Sequence, residues 1–446
     1  MAGTLAPRRD ATGSDICRKA AERLVRNHAA MLLRPFLAAA LACALVSPQA
    51  RAEALDGPIR SISRTLAWTE GATRGPGVAV ASAAAKAAAN VPSMATGLAL
   101  PPRLSLMAGP RVGSPGAGLD VSITAMMDFP VRPLSSARAK VGDLLVAATN
   151  AALARARVDG GFAGAVAWSY ALEAKEVFSV RRRGEKDLES IVAIAAKRVK
   201  AGVGLPSELV FARGDYGAAG AATLDAEGSV VDSFAELRLA IGAEIDEVVD
   251  PVGEICKTND DPINDKAVLA EAEASSPIVL AAKARGALAL SDVSLIHATI
   301  GPTVGFGAQY SREAFGDQIW LGVVSVPLPF TDPARFDTAR AKIAAAEAEA
   351  DVERARLVVR KLAIIALHDR VHTREVRKKL LDDALEPLRE AVRLAHIQYE
   401  TGTQDLTSVL LTRQRLFAVE EQVVRACGSV HRADLAVFHL LGKTPS

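Results

Sequence analysis

The chain has 446 residues, 50% of them hydrophobic but only 4% aromatic, and a formal net charge of +2. Near-neutral charge argues against a strongly basic nucleic-acid surface, and abundant alanine with few aromatics suits closely packed helices better than a thick globular core. No GxSxG, P-loop or HExxH motif is present, and "GSPGAG" does not fit GxGxxG, so the residues offer no catalytic centre and no cofactor site.

From Met31 the segment "MLLRPFLAAALACALVSPQARAEA" carries Arg34, an apolar run from Phe36 to Val46, and the small residues Ala50 and Ala52 spaced for cleavage. Residues 1–52 therefore read as a leader with a secretory signal cut after Ala52, and the basic residues before Met31 either as an unusually long leader or, the favoured reading, as lying upstream of the true start. The apolar run, about eleven residues, is well short of the ~20 that span a bilayer as a helix. Cys43 lacks the leucine three residues earlier that a lipidation site wants. Cys256 and Cys427 remain in the mature chain, too few for a disulfide framework, and read as free thiols.

A long internal repeat follows. Gly202 ends a helical run as Gly402 does 200 residues later, Gly242 and Gly442 are again 200 apart, and Pro76 and Pro277 are 201 apart. Constant register predicts two structural repeats, 53–242 and 277–446, joined by an acidic, turn-rich linker, 243–276. Each repeat reads as a short helix opened by proline, two strands, a very long helix, a glycine break and a second long helix ending in glycine.

The strands alternate. In "LDVSITAMMDF", Leu119, Val121, Ile123, Ala125, Met127 and Phe129 face one way, and Asp120, Ser122, Thr124 and Asp128 the other. "ATIGPTVGFGAQY" opposes Ala298, Ile300, Val304, Phe306, Ala308 and Tyr310 to Thr299, Thr303, Gly305, Gly307 and Gln309. "IWLGVVSVPLPF" is more uniformly apolar, and "RLSLMAG" carries the weakest strand signal. In an exported chain, strands of this kind fit a membrane β-barrel or a half-buried sheet.

From Pro333 to Tyr399 the pattern is helical almost throughout, interrupted by Pro387, with Asp332 as cap; about 67 residues at 1.5 Å each make ~100 Å. Beyond Gly402, Val409, Leu416, Val423, Val430 and Val437 recur at a strict seven-residue interval, the signature of coiled-coil packing against a neighbour. Gly402 is thus the hairpin where a long helix turns back, since glycine tolerates the left-handed backbone of a tight reversal.

These segments resemble TolC-type outer membrane factors over nearly the whole mature length. "YETGTQDLTSVLLTRQRL" is similar to the family's second hairpin pattern and "KAGVGLPSELVFAR" to its first, while "GFGAQYSREAFGDQIWLGVVSVPLPFTDPARFDTARAK" resembles the heavy-metal, CzcC-type branch, with "TDPARFD" where that branch has a glycine-rich stretch. The resemblance implies a mostly α chain with a membrane β-barrel: a long antiparallel coiled-coil tunnel in the periplasm plus four strands per protomer, closing twelve strands in a homotrimer in the outer membrane. It implies a passive exit duct of a tripartite efflux or export system, cargo being heavy-metal cations or small toxic compounds. Its partners would be a periplasmic adaptor (membrane fusion) protein, indirectly an inner-membrane transporter, and outer membrane lipid, with no nucleic acid.

By the same resemblance Ala201, Gly202, Val203, Gly204, Thr401, Gly402, Thr403 and Gln404 would contact the adaptor. Glu208 and Asp405, just past the turns, could form a cation-favouring constriction, although the positions matching the family's aspartates are Ser408 and Leu411. His368 and His372, one helical turn apart, read as surface histidines rather than a metal site. A different class of reading is a soluble periplasmic coiled-coil scaffold or adaptor with its strands in a small sheet.

Overall fold

A computed structural model of the chain describes residues 59–95, 100–113, 116–244, 247–257, 263–314, 316–327 and 335–445. The signal segment, Cys43, Asp332 and Pro333 lie outside them. By their contacts, the described residues divide into one unit of 59–60 with 247–248 and another made of the rest. In the smaller unit, Arg60 pairs with Glu247 at 2.6 Å.

The elements run β1 (Ile59–Ile62), α1 (Arg64–Arg74), α2 (Pro76–Ala88), α3 (Val91–Ala95), β2 (Arg103–Gly113), β3 (Gly116–Pro130), α4 (Leu134–Lys200) and α5 (Pro206–Ile241). After them come β4 (Val248–Pro251), α6 (Asp265–Ser275), α7 (Pro277–Thr299), β5 (Thr303–Arg312), β6 (Gln318–Ser325), α8 (Arg335–Lys379), a π-helical turn (Leu380–Leu385), α9 (Glu386–Glu400) and α10 (Leu406–Leu441). Both expected prolines open helices, Pro76 in α2 and Pro277 in α7. The second is not short, however, at 23 residues, because the apolar pattern runs on to Thr299. The strand expected from Ala298 therefore begins only at Thr303. The linker also holds ordered structure, β4 and α6, the latter capped by the Asn264 side chain.

One α-helix does not run from α8 through α9. Pro387 has no N–H to offer the carbonyl four residues before it, and the chain answers with a wider π turn just ahead of the proline. The heptad expectation for α10 is met: Val409, Leu416, Val423, Val430 and Val437 are all buried. Two other seven-residue series stay exposed. On α5 they are Val210, Leu224 and Val231 with Gly217 between them; on α8, Phe336, Ile343, Leu357, Ile364 and Val371 with Ala350 between them.

β2, β3, β5 and β6 form an antiparallel sheet in that order. Its register puts Leu106 opposite Ile123, Ile123 opposite Tyr310, and Tyr310 opposite Trp320. Leu104, Leu106, Leu119, Ile123, Phe129, Phe306, Trp320 and Val324 thus share one face, and all are exposed, Leu104 at 75% and Trp320 at 74%. Ser105, Thr124, Gln309 and the paired charges Arg103–Asp128 and Arg111–Asp120 lie on the other. Aromatic pairs Phe129–Phe306 and Tyr310–Trp320 sit at two levels of the apolar face, with ring centroids 6.1 and 4.8 Å apart.

α1 crosses α4 where Gly71 of α1 meets Gly160 and Gly164 of α4. A Cβ on Gly164 would collide with the Ala67 carbonyl, and one on Gly161 would press on the Trp68 ring. The glycines let the backbones meet, and Trp68 is buried there with Ala165 and Leu435.

Cys256 and Cys427, expected as free thiols, are joined in a disulfide. They are 171 residues apart, and that spacing carries no signal. The bridge exists because α10 turns Cys427 into its buried face beneath the linker turn that holds Cys256.

The glycines separate packing from propensity. Gly164→Ala should destabilise the fold by about 1–3 kcal/mol through overpacking. Gly217→Ala, in a helix interior with open space around it, should stabilise it by up to ~1 kcal/mol. Chemical denaturation midpoints of the two variants, read against the parent, check the pair.

Candidate functional site

The hairpins between α4 and α5 and between α9 and α10 are alike bond for bond. Ala201 N–H donates to the Lys197 carbonyl at 2.9 Å, Gly202 N–H to Val199 at 3.0 Å, and Val203 and Gly204 both to Arg198, at 3.0 and 3.1 Å. Two hundred residues later, Thr401 donates to Ile397 at 3.0 Å, Gly402 to Tyr399 at 3.1 Å, and Thr403 and Gln404 both to Gln398, at 2.9 and 3.2 Å. Each reversal needs one residue in the left-handed region, supplied by Gly202 (φ 72°) and Gly402 (φ 75°). Ala201, Gly202, Val203, Thr401, Gly402 and Thr403 are exposed, while Gly204 and Gln404 are half-buried.

Glu208 and Asp405 begin the returning helices. The Glu208 carboxylate accepts the Leu205 N–H at 3.4 Å, closing the first turn of α5. Asp405 is the N-cap of α10 and accepts the Ser408 hydroxyl at 2.6 Å. That hydrogen bond holds the Asp405 carboxyl below its ordinary range. Each residue thus has a local structural task at a helix N-terminus, where negative charge is favoured.

What ties the two hairpins together was not singled out from sequence. Arg198, on α4, donates from Nη1 to the Tyr399 carbonyl at 3.1 Å, and its guanidinium lies 4.7 Å from the centre of the Tyr399 ring. Tyr399 is 2% exposed in a cluster with Leu188, Ile191, Ala212, Leu406 and Leu410, which joins α4, α5, α9 and α10. Burial pushes the Tyr399 hydroxyl up, with the Arg198 charge opposing and Glu208 assisting. At the upper edge of this cluster the buried Arg413 of α10 bonds to Asp187 of α4 and reaches His396 Nδ1 of α9 at 3.3 Å. Burial lowers the Arg413 pKa from its usual value. The available signal for Arg413 was a charge among the apolar heptads of α10; for Arg198, its place 200 residues before Gln398, inside the repeated turn.

His368 and His372 are exposed and stack on each other, ring centroids 5.7 Å apart. Among the described residues no group of His, Cys, Asp and Glu is placed to hold a metal ion, and no helix is long and apolar enough to cross a membrane.

Residues 268–443 match the family model described as outer membrane efflux protein. The chain is thus similar to this family over less than half of its length. The fold extends the likeness beyond it. The outer-membrane channel OprN aligns with a TM-score of 0.71 at 19% identity, over 85% of this chain and 89% of that one. The outer membrane protein VceC of Vibrio cholerae gives 0.69 at 17%, covering 85% and 96%, and CusC 0.70 at 13%, covering 85% and 92%. No curated protein matches. The mostly helical architecture with few strands is thus that of solved outer membrane channels.

The Asp405 cap carries a pH dependence. Its folded pKa is depressed, so its stabilisation of the α10 start is present above the ordinary carboxylate range and is lost as pH falls through the depressed value. Amide exchange at residues 406–409 should therefore accelerate on acidification in the parent, and be fast and insensitive to pH over that window in Asp405→Ala after correction for intrinsic rates.

Proposed function

We propose that the chain is one third of a homotrimeric outer membrane channel, the passive exit duct of a tripartite efflux or export system. The observation that carries this reading is the β2–β3–β5–β6 sheet. One of its faces is apolar and exposed, the other is largely polar on β3 and β5 but carries Met107, Ile319, Leu321 and Val323 on the outer strands, and β2 and β6 have no further partner among the described residues. An apolar face suits lipid, but open edges do not, because an unpaired backbone group in hydrocarbon costs several kcal/mol. Four strands from each of three chains would close twelve, within the range of known barrels.

The exposed heptad series on α5 and α8 support the same assembly, since a seven-residue apolar seam is a surface built for another helix. On this reading neighbouring protomers cover both seams and the helices surround a periplasmic tunnel. The matching lengths of α5 and α10, 36 residues each, and the matching turns favour descent of 53–242 and 277–446 from one duplicated unit, with 243–276 between them.

The two hairpins would lie at the far end of the tunnel, where the exposed residues 201–203 and 401–403 meet the periplasmic adaptor. Glu208 and Asp405 add negative charge at that end from every protomer, which favours cations there. Energy comes from an inner-membrane transporter. The polar face of the sheet, where Arg103 and Arg111 are each paired with a carboxylate, has little net charge of its own to choose a cargo.

Two experiments test this. Leu106→Arg, on the apolar face, should sharply reduce trimers in the outer membrane, a lysine or arginine facing lipid costing ~2–4 kcal/mol near mid-depth. Ser105→Arg, one residue away on the opposite face, should be tolerated; equal tolerance of both would refute the barrel. Gly202→Glu and Gly402→Glu face open space and cost only ~1–2 kcal/mol of backbone strain each. They should leave trimers intact on heat-controlled electrophoresis yet abolish export, and unchanged export would remove the hairpins from the adaptor interface.

A further inference from the structure

The segment from Val249 to Lys257 lies across α4 and is fastened there by several independent contacts. Val252 N–H donates to the Ile62 carbonyl at 3.0 Å, and that carbonyl also receives Trp168 Nε1–H at 2.9 Å. Lys175 Nζ pairs with Asp250 at 2.6 Å. Gly253, at φ 146°, passes so close that a Cβ would stand 3.0 Å from the Trp168 ring. The far end of the segment is bonded covalently to α10 through Cys256–Cys427. The bridge enters α10 between two ion pairs that join α10 to α4, Glu421–Arg181 at 2.8 Å and Arg432–Glu173 at 2.7 Å. The linker is therefore a strap over the α4–α10 pair, held by packing on one helix and by a bond on the other.

The two sulfurs stand in opposite surroundings. Cys427 is fully buried in the cluster of Trp168, Leu172, Ile255 and Val423. Cys256 is exposed, in a turn closed by the Lys257 N–H to the Glu254 carbonyl at 3.1 Å. We propose that Cys256 is the site at which a disulfide-bearing oxidant, a thiol–disulfide oxidoreductase or a small oxidised thiol, installs this strap, and that Cys427 is the resolving thiol. The Cys256 thiolate attacks one sulfur of the oxidant, forming a mixed disulfide and releasing the first thiol. The Cys427 thiolate then attacks the Cys256 sulfur, forming the internal bond and expelling the second. Two protein thiols are oxidised, one oxidant disulfide is reduced, and two protons stay on the released thiols.

The same asymmetry slows exchange in both directions once Cys427 is buried, so the bond closes before that burial is complete and resists opening afterwards. An external thiolate reaches only the Cys256 sulfur, and its attack must expel Cys427 as an anion into an apolar cluster, where an unpaired charge is costly. The strap is thus permanent, a fixed tie between the linker and the last helix. Only the source of the oxidant rests on the exported location proposed above.

The test uses the full mature chain isolated without reductant, with alkylation read by intact mass. The parent should show no free thiol in denaturant, and a monothiol reductant should open the bond only once the chain is unfolded. In Cys427→Ser, Cys256 should be alkylated in the native state or carry a bound small thiol. In Cys256→Ser, Cys427 should react at least ~100-fold more slowly, as a core site that is reached only through costly opening does. Comparable rates for the two cysteines, or ready reduction of the folded parent, would overturn the assignment. If neither single variant folds, the native-against-denatured reduction of the parent still decides. Two free thiols in chain recovered from the outer membrane would sink the strap and leave the channel reading standing. Recovery of the chain only from a reducing compartment would sink both.

Discussion

Both long helical runs end in a reversal that only a left-handed residue can make, and everything above the turns follows from where those reversals fall. Gly202 and Gly402 place α5 beside α4 and α10 beside α9 with no freedom of register, because the same carbonyls, at three, four and five residues before each glycine, collect the same N–H groups. With the offset between the turns fixed at 200 residues, α4 and α10 become antiparallel partners. Their charges then meet in an ordered ladder: Asp187 with Arg413, Arg183 with Glu420, Arg181 with Glu421, and Glu173 with Arg432.

That ladder explains how a chain so poor in aromatics keeps long helices aligned. The apolar clusters along it are small and rely on alanine, valine and leucine, whose packing alone discriminates weakly between neighbouring registers. The pairs Asp187–Arg413, Arg181–Glu421 and Glu173–Arg432, buried or half-buried, penalise a slip, since each would leave a guanidinium or carboxylate without its partner, while Arg183 is exposed and contributes less. Arg413 is the clearest case. Moving it by one turn would strand a buried cation, so its bonds to Asp187 and His396 act more as a register mark than as a source of stability.

Much of this is legible in the sequence. Hairpin glycines, the α10 heptads and the two-sided strand at 116–130 each depend on local chemistry or on a simple period, and each is found. The CusC, OprN and VceC likenesses extend to the first half of the chain, where the family match itself does not reach. The features that were not legible depend on contacts between distant segments. Nothing in a spacing of 171 residues pairs Cys256 with Cys427. Pro387 announced a disturbance but not its form, because whether a helix kinks or widens into a π turn depends on what packs against it, here Leu385 in the core beside Leu416 and Val423. Glu208 and Asp405 were noticed for their charge, and the structure gives them a nearer purpose, as caps.

The surfaces left over point in one direction. A helix that buries one heptad series and exposes another, and a sheet that is apolar on one side with unpaired rims, are each half of an interaction. Within the described residues α10 has its complement and α5, α8, β2 and β6 do not. The unmet demands are of two kinds, directional hydrogen bonding at the sheet rims and continuous apolar seams on the helices, and a single flat partner could not satisfy both. Copies of the same chain related by rotation could, since a rim of one sheet matches the opposite rim of the next and rotation brings both helix seams against a neighbour at once. On the membrane reading proposed above, closure would then limit the number of copies, because four strands apiece would have to curve into a complete ring before lipid accepted the edges.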